Sequence, residues 1–314
     1  MTAVEELGGR PIPYGTYPAG RWLGGRFRLE KRVNAAGPRW APQWRATDTL
    51  LCRPVTVHLL PPGRPVPRAV ADAVQAAARV TDPRLATIYD THYGIDCPYI
   101  VSEWAPGTHL EDLALAGLPG PALAAAMIAD AADALAVAHR AGRPHLCLTP
   151  RCLRWDNDRG LKITGLGIDA ALRGAALRGA GAGDPVADTR ALGRMLYVLL
   201  TGCWPGDEPS ALPAAPRHKG RVCTPRQVRA GVPAILDAIT YRAMQGQAPD
   251  APLRPLSPAG LALVLRGVQR PSYRLAVWDD GPGAPREQPP ARRRARHARP
   301  RSGLRRTALL HPAA

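Results

Sequence analysis

Residues 138–167 read AHRAGRPHLCLTPRCLRWDNDRGLKITGLG. The opening residues close a helical pattern at Gly142, the residue type that commonly ends helices. Short apolar runs follow, HLCL, LRW and LKI, and WDNDRG between them is built from turn-forming residues. This small β-like patch (145–167) interrupts an otherwise helical region. Upstream, PALAAAMIADAADALAVAHRAG (121–142) carries apolar residues at helical spacing. Downstream, DTRALGRMLYVLLTG (188–202), VPAILDAITYRAMQ (232–245) and SPAGLALVLRGV (257–268) do the same.

The character changes on the N-terminal side of Pro106-Gly107. RFRLEKRV, QWRATDT and RPVTVHLL are short strand-like runs broken by Gly and Pro, PRAVADAVQAAARV (67–80) reads as one helix with Pro at its start, and LATIYDTHY and PYIVSEW read as two more strands. Five strands and a helix therefore precede a mainly helical half. The fold class is α+β with two lobes, a β-rich N-lobe at about 22–101, a hinge at about 102–107 and a helical C-lobe at about 108–268. Residues 1–21 read as a flexible tether. Residues 269–314, rich in Arg, Pro, Ala and Gly without a core-forming period, read as a disordered tail.

The chain has 314 residues, 46% of them hydrophobic, enough for a two-lobed domain with its own core. No stretch of about 18 apolar residues is free of charge, so no transmembrane segment is expected, and the N-terminus lacks a secretory signal. A cytoplasmic location is the expectation. Six cysteines without a C-x-x-C pair read as free thiols. The net charge is +17, and the 44 residues from Pro271 onward carry ten Arg against two Asp and one Glu. The cluster Arg292, Arg293, Arg294, Arg296, Arg299 and Arg301 suits weak, salt-sensitive binding of polyanions. Its Arg/Pro/Ala bias is also what an out-of-frame read of GC-rich DNA would produce. Lysine is scarce: only Lys31, Lys162 and Lys219 occur.

In order and spacing these segments resemble the bacterial, and especially the actinobacterial, Ser/Thr protein kinases over about residues 22–268. The carriers are RFRLEKRV…WRATDTLLCRPVTVHLL, PYIVSEWAPGTHLEDL, AHRAGRPHLCLTPRCLRW…GLKITGLGIDAAL and DTRALGRMLYVLLTGCWP. The resemblance implies a Gly-rich phosphate loop, a strand Lys paired with a helix Glu, a catalytic-loop Asp and Asn, and a D-F-G Asp for magnesium. None matches. The loop is VNAAGPRWAPQW, with one glycine beside a proline. V-A-I-K corresponds to Val55-Thr56-Val57-His58, and the helix Glu to Ala73. H-R-D-L-K-P-x-N corresponds to His145-Leu146-Cys147-Leu148-Thr149-Pro150-Arg151-Cys152, which puts Cys147 at the base and Cys152 at the metal-binding Asn. D-F-G corresponds to Gly165-Leu166-Gly167, and the sole Phe of the chain is Phe27. Cysteine does not supply the hard oxygen that magnesium takes.

What the resemblance retains is bracing: His145 at the motif histidine, Asp188 at the helix Asp that holds the catalytic-loop backbone, and Leu166 in the apolar role of the missing Phe. The nucleotide-pocket positions would be Gln43, Thr56, Glu103 and Arg154, too polar for an adenine slot. The expectation is a pseudokinase with no cofactor, no bound ATP and no metal. It would act as a scaffold for a protein partner, and the resemblance points to forkhead-associated domains and cell-wall regulation. Two alternatives stand beside it. One is an active kinase whose metal is held by Asp156, Asp158 or Asp169; the other is polyanion binding by the tail.

Overall fold

The structure, a computed structural model, describes residues 17–33, 41–63, 65–176, 186–245 and 256–268. The N-lobe is built on β1 (Trp22–Leu23), β2 (Phe27–Val33), β3 (Gln43–Asp48), β4 (Arg53–Leu59), helix α1 (Arg68–Ala77), β5 (Ile88–His92) and β6 (Tyr99–Glu103). The strands form one antiparallel sheet in the order β1-β2-β3-β4-β6-β5. Alternation along β3 and β4 aims Trp44, Ala46, Val55 and Val57 at one face, where they pack with Phe27, Leu29, Tyr99 and Val101. The other face receives α1 through Val70 and Val74 against Ile100.

The C-lobe follows as β7 (Thr108–His109), α2 (Leu110–Ala116), α3 (Pro121–Arg140), β8 (Leu153–Asp156), β9 (Gly160–Ile163), α4 (Asp169–Ala176), α5 (Val186–Thr201), β10 (Arg217–His218), β11 (Arg221–Val222), α6 (Pro225–Val228), α7 (Ala234–Gln245) and α8 (Pro258–Arg266). The alanine-rich α3 runs through its centre and packs on α5, α8 and β9, because small side chains let helices approach closely. By length and composition α3 could cross a membrane, which the sequence reading did not anticipate; in the structure it is largely buried among the C-lobe helices. The β-like patch is the three-stranded sheet β7-β8-β9. Its turn is closed by Asp156, whose Oδ1 accepts the N–H groups of Asp158 and Arg159, both at 3.0 Å.

Several boundaries differ from the sequence reading. Residues 17–21 are not a tether. Tyr17 is buried in the N-lobe core, the Arg21 guanidinium lies 4.6 Å from its ring centre, and Gly20 and Arg21 exchange backbone hydrogen bonds with Leu29. An amphipathic tyrosine covering a sheet edge gives no periodicity to read. The last N-lobe strand extends to Glu103, two residues into the expected hinge. Helices α2, α4 and α6, the strand β1 and the β10–β11 hairpin carry too few residues for a periodic signal. Residues 1–16, the loop segment 34–40, residues 177–185 of the expected activation segment, and the tail with Arg292, Arg293, Arg294, Arg296, Arg299 and Arg301 lie outside the described residues.

Gly107 pins the hinge to the C-lobe. Its φ is +88°, and a Cβ there would run into the backbone carbonyl of Trp155. Gly107→Ala should therefore destabilise the protein by on the order of 1–3 kcal/mol, measured by chemical denaturation. A loss below about 0.5 kcal/mol would mean that the hinge can relax away from β8.

Candidate functional site

The floor of the interlobe cleft is organised by one buried carboxylate. Asp188, in the first turn of α5, accepts the backbone N–H of His145 and of Leu146, each at 2.7 Å, and lies 2.7 Å from His139 Nε2 on α3. Burial acts to raise its pKa, but these three hydrogen bonds and the field of His145 hold it below the usual carboxylate range. The two backbone contacts fix residues 145–147 in a bent path, with Leu146 at a left-handed φ of 64°. His145 is fully buried, and its Nε2 donates to the carbonyl of Thr164 at 2.9 Å. Burial acts to lower the His145 pKa, yet Cys152 and the carboxylates of Asp188 and Asp169 lift it to about 9. Leu166 is buried in the C-lobe core.

Cys147 and Cys152 flank this turn. Burial pushes the Cys147 thiol up to about 11, so it stays protonated at neutral pH. Cys152 is buried beneath it, with its Sγ 3.4 Å from both the backbone nitrogen and the hydroxyl of Thr149 and 3.7 Å from Asp169 Oδ2. Gly165 has a φ of +88°, and a Cβ there would collide with the Asp169 carboxylate. The side chain of Asp169 thus fills the space beside the Gly165 backbone. Asp169 is almost fully buried, and burial raises its pKa. The three carboxylates considered in the sequence are thereby separated. Asp158 is exposed and Asp156 caps the β8–β9 turn, while Asp169 reaches the cleft floor.

The roof contributes Gln43 from β3 and Thr56 and His58 from β4. His58 is 3% exposed, and its Nδ1 has no hydrogen-bond partner among the described residues. Burial depresses its pKa to about 4, so it is neutral at physiological pH. Ala73 stands on α1 with its carbonyl toward Gly167, and the neighbouring Asp72 is exposed and 3.7 Å from Arg68. The hinge side is occupied by Arg154. Its guanidinium donates to the carbonyls of Pro106 and Gly107 and to His109 Nε2 at 2.8 Å, and it lies 5.4 Å from the Trp104 ring centre. Because Nε2 of His109 accepts, its Nδ1 carries the proton and donates to the Arg151 carbonyl at 2.8 Å. Burial and the Arg154 charge both lower the His109 pKa. Glu103 does not line this space; its carboxylate is 2.6 Å from Lys162 Nζ and accepts the N–H of Thr87. The cavity left among these side chains measures about 30 Å³. That is room for about one water, against the ~300–1,000 Å³ of a small-molecule site.

No family model matches the sequence. Against individual proteins, the chain is 29% identical over 276 residues to the serine/threonine-protein kinase PknB of Mycolicibacterium smegmatis, covering 73% of this chain and 42% of that protein. It is 27% identical over 222 residues to PrkC of Bacillus subtilis, covering 63% and 34%, and 26% identical over 220 residues to PknL of Mycobacterium tuberculosis, covering 62% and 53%. The chain therefore spans about a third to a half of the length of these relatives. Among solved structures, the kinase domain of Mycobacterium tuberculosis PknI superposes with a TM-score of 0.60 at 17% identity, over 80% of this chain and 99% of that one. This chain is similar to the bacterial Ser/Thr protein kinases.

Two parts of this kinase-like cleft escaped the sequence reading. The first is the set of partners that Arg154 finds. His109 and Trp104 are 45 and 50 positions away, and only the pairing of β7 with β8 brings His109 beside Arg154. The second is the return of Asp169 to Gly165. Here a local signal was available, because Gly165 accepts the N–H of Asp169 as a helix begins, and side chains on a helix lean toward its N-terminus. A Gly followed four residues later by Asp at a helix start is that signal.

Proposed function

We propose that this kinase-like chain is a non-catalytic binding module that recruits or regulates a protein partner in the cytoplasm. The observation that carries the reading is the cleft itself, where Arg154 is held by the hinge carbonyls and His109 and leaves about 30 Å³. An adenine ring would have to displace a half-buried guanidinium from its hydrogen bonds, and such bonds to a charged group are worth about 1.5–3 kcal/mol each. The phosphate end is no better provided. His58 brings a neutral ring and Cys147 a protonated thiol, so the charges that stabilise phosphoryl transfer are missing. The bracing by Asp188 serves a rigid scaffold equally well. The family resemblance suggests a forkhead-associated partner and a place in cell-wall regulation, which a pull-down with tail-deleted protein would test.

A second reading has one observation in its favour. Asp169 brings a carboxylate to the cleft floor beside Gly165, where it would serve as the relocated metal ligand of an active kinase. Calorimetric titration with ATP and Mg²⁺ or Mn²⁺, paired with a radiolabel-transfer assay, separates the two. The expected result is no saturable binding tighter than about 1 mM and no label transfer. Transfer that disappears in Asp169→Asn would establish the active kinase instead.

A further inference from the structure

His145, Cys152 and Asp169 come from three separate segments, and the fold brings them to one point. One ligand-type atom from each lies within 4.8 Å of the others, and all three residues are at most 2% exposed. Two of the polar atoms there have no hydrogen-bond partner among the described residues, His145 Nδ1 and Asp169 Oδ1. Leaving buried polar groups unpaired costs about 1–3 kcal/mol each, so the pair calls for an occupant. We propose that these three side chains form a binding site for one zinc ion, taken up without nucleotide.

The donor set determines the metal. A nitrogen, a sulfur and a carboxylate oxygen suit zinc, whereas magnesium takes oxygen ligands alone. The spacing is close to what zinc needs. With bonds of about 2.0–2.3 Å, neighbouring ligands in a tetrahedron lie roughly 3.3–3.7 Å apart. Cys152 Sγ and Asp169 Oδ2 are already 3.7 Å apart. The remaining contraction is an ångström or so at the widest edge. The histidine is oriented for the role. A carbonyl only accepts, so Nε2 carries the proton given to Thr164, and Nδ1 is the nitrogen left to face the cluster. A ligating imidazole is typically held this way, by a backbone carbonyl on its far nitrogen. Charge also balances. A thiolate, a carboxylate and a neutral imidazole bring two negative charges to a dication, and the Cys152 thiol proton and the Nδ1 proton of the His145 imidazolium leave to solvent as the sulfur and the nitrogen bind. The other charged groups whose fields reach the cluster are Arg173 and Asp188, one of each sign. Asp169 and Thr164 also line the interlobe cleft, which gives the ion an entry path and a water for the fourth position.

The test uses the full chain, freed of metal by a chelator and then alkylated under native conditions. Alkylation blocks the accessible thiols and spares Cys152. Titration with zinc against a chromophoric chelator should give one site per chain, and cobalt should give a thiolate-to-metal charge-transfer band. Cys152→Asn and Asp169→Asn should each weaken zinc binding at least tenfold, while Cys147→Ala should leave it unchanged. Zinc should also raise the melting temperature of the unmodified protein and not that of Asp169→Asn. Absence of a stoichiometric site, a cobalt complex without the thiolate band, or full binding by both variants overturns the proposal. Should Cys152→Asn fail to fold, Asp169→Asn and the cobalt spectrum still decide it.

Discussion

Asp188→Ala is expected to lower the stability of the protein by about 3–5 kcal/mol, with a fall in Tm on the order of 10 °C. The carboxylate is fully buried, and it alone receives the N–H groups of His145 and Leu146 and the ring nitrogen of His139. Removing it strands these donors away from water at about 1–3 kcal/mol apiece, partly offset by local relaxation. It also releases Leu146 from a left-handed conformation that a branched side chain does not adopt unaided. Asp188→Asn keeps an acceptor oxygen and should lose less. His139→Ala removes one partner only and should cost about 1–2 kcal/mol. Urea denaturation of the three variants gives the ranking. An Asp188→Ala protein as stable as the parent would show that residues 145–147 are held by something else.

Acidification should weaken the fold through His58. Its pKa is about 4 in the folded protein, against about 6.5 in an unfolded chain. The folded value is the lower one, so as pH falls the unfolded state takes up the proton first. The stability contributed by the neutral ring is complete above about pH 6.5, declines between 6.5 and 4, and is gone below. The total is about 3 kcal/mol. The carboxylates held low, including Asp48 and Asp188, add their own losses at lower pH. The informative quantity is therefore the difference between parent and His58→Leu from pH 7 to 4.5. Leucine on a buried strand should be neutral or stabilising at pH 7 and should flatten this part of the profile. Parallel profiles for the two proteins would place His58 in contact with solvent.

The two-lobed α+β order was legible in the residues because its signals are local. Alternation in RPVTVHLL, helical spacing in residues 121–142, and Asp, Asn and Gly in WDNDRG depend on neighbours a few positions apart, and β4, α3 and the β8–β9 turn stand where these patterns put them. The identity of each residue at the cleft was equally plain, including the absence of any lysine near Val57. Where the side chains go was another matter. Arg154 read as a misfit in an apolar slot, and only the neighbourhood of Gly107, His109 and Trp104 turns it into the group that fills the cleft. Asp169 read as one of three candidate metal carboxylates, and the turn at Gly165 sends it inward while Asp158 stays in water. Tyr17 read as part of a tether until the sheet offered it a surface to cover. Each of these outcomes depends on contacts between segments far apart in the chain. Which distant groups desolvate a charge or satisfy a buried donor is written in no local pattern, because the same side chain is indifferent to its fate until the surrounding elements have closed around it.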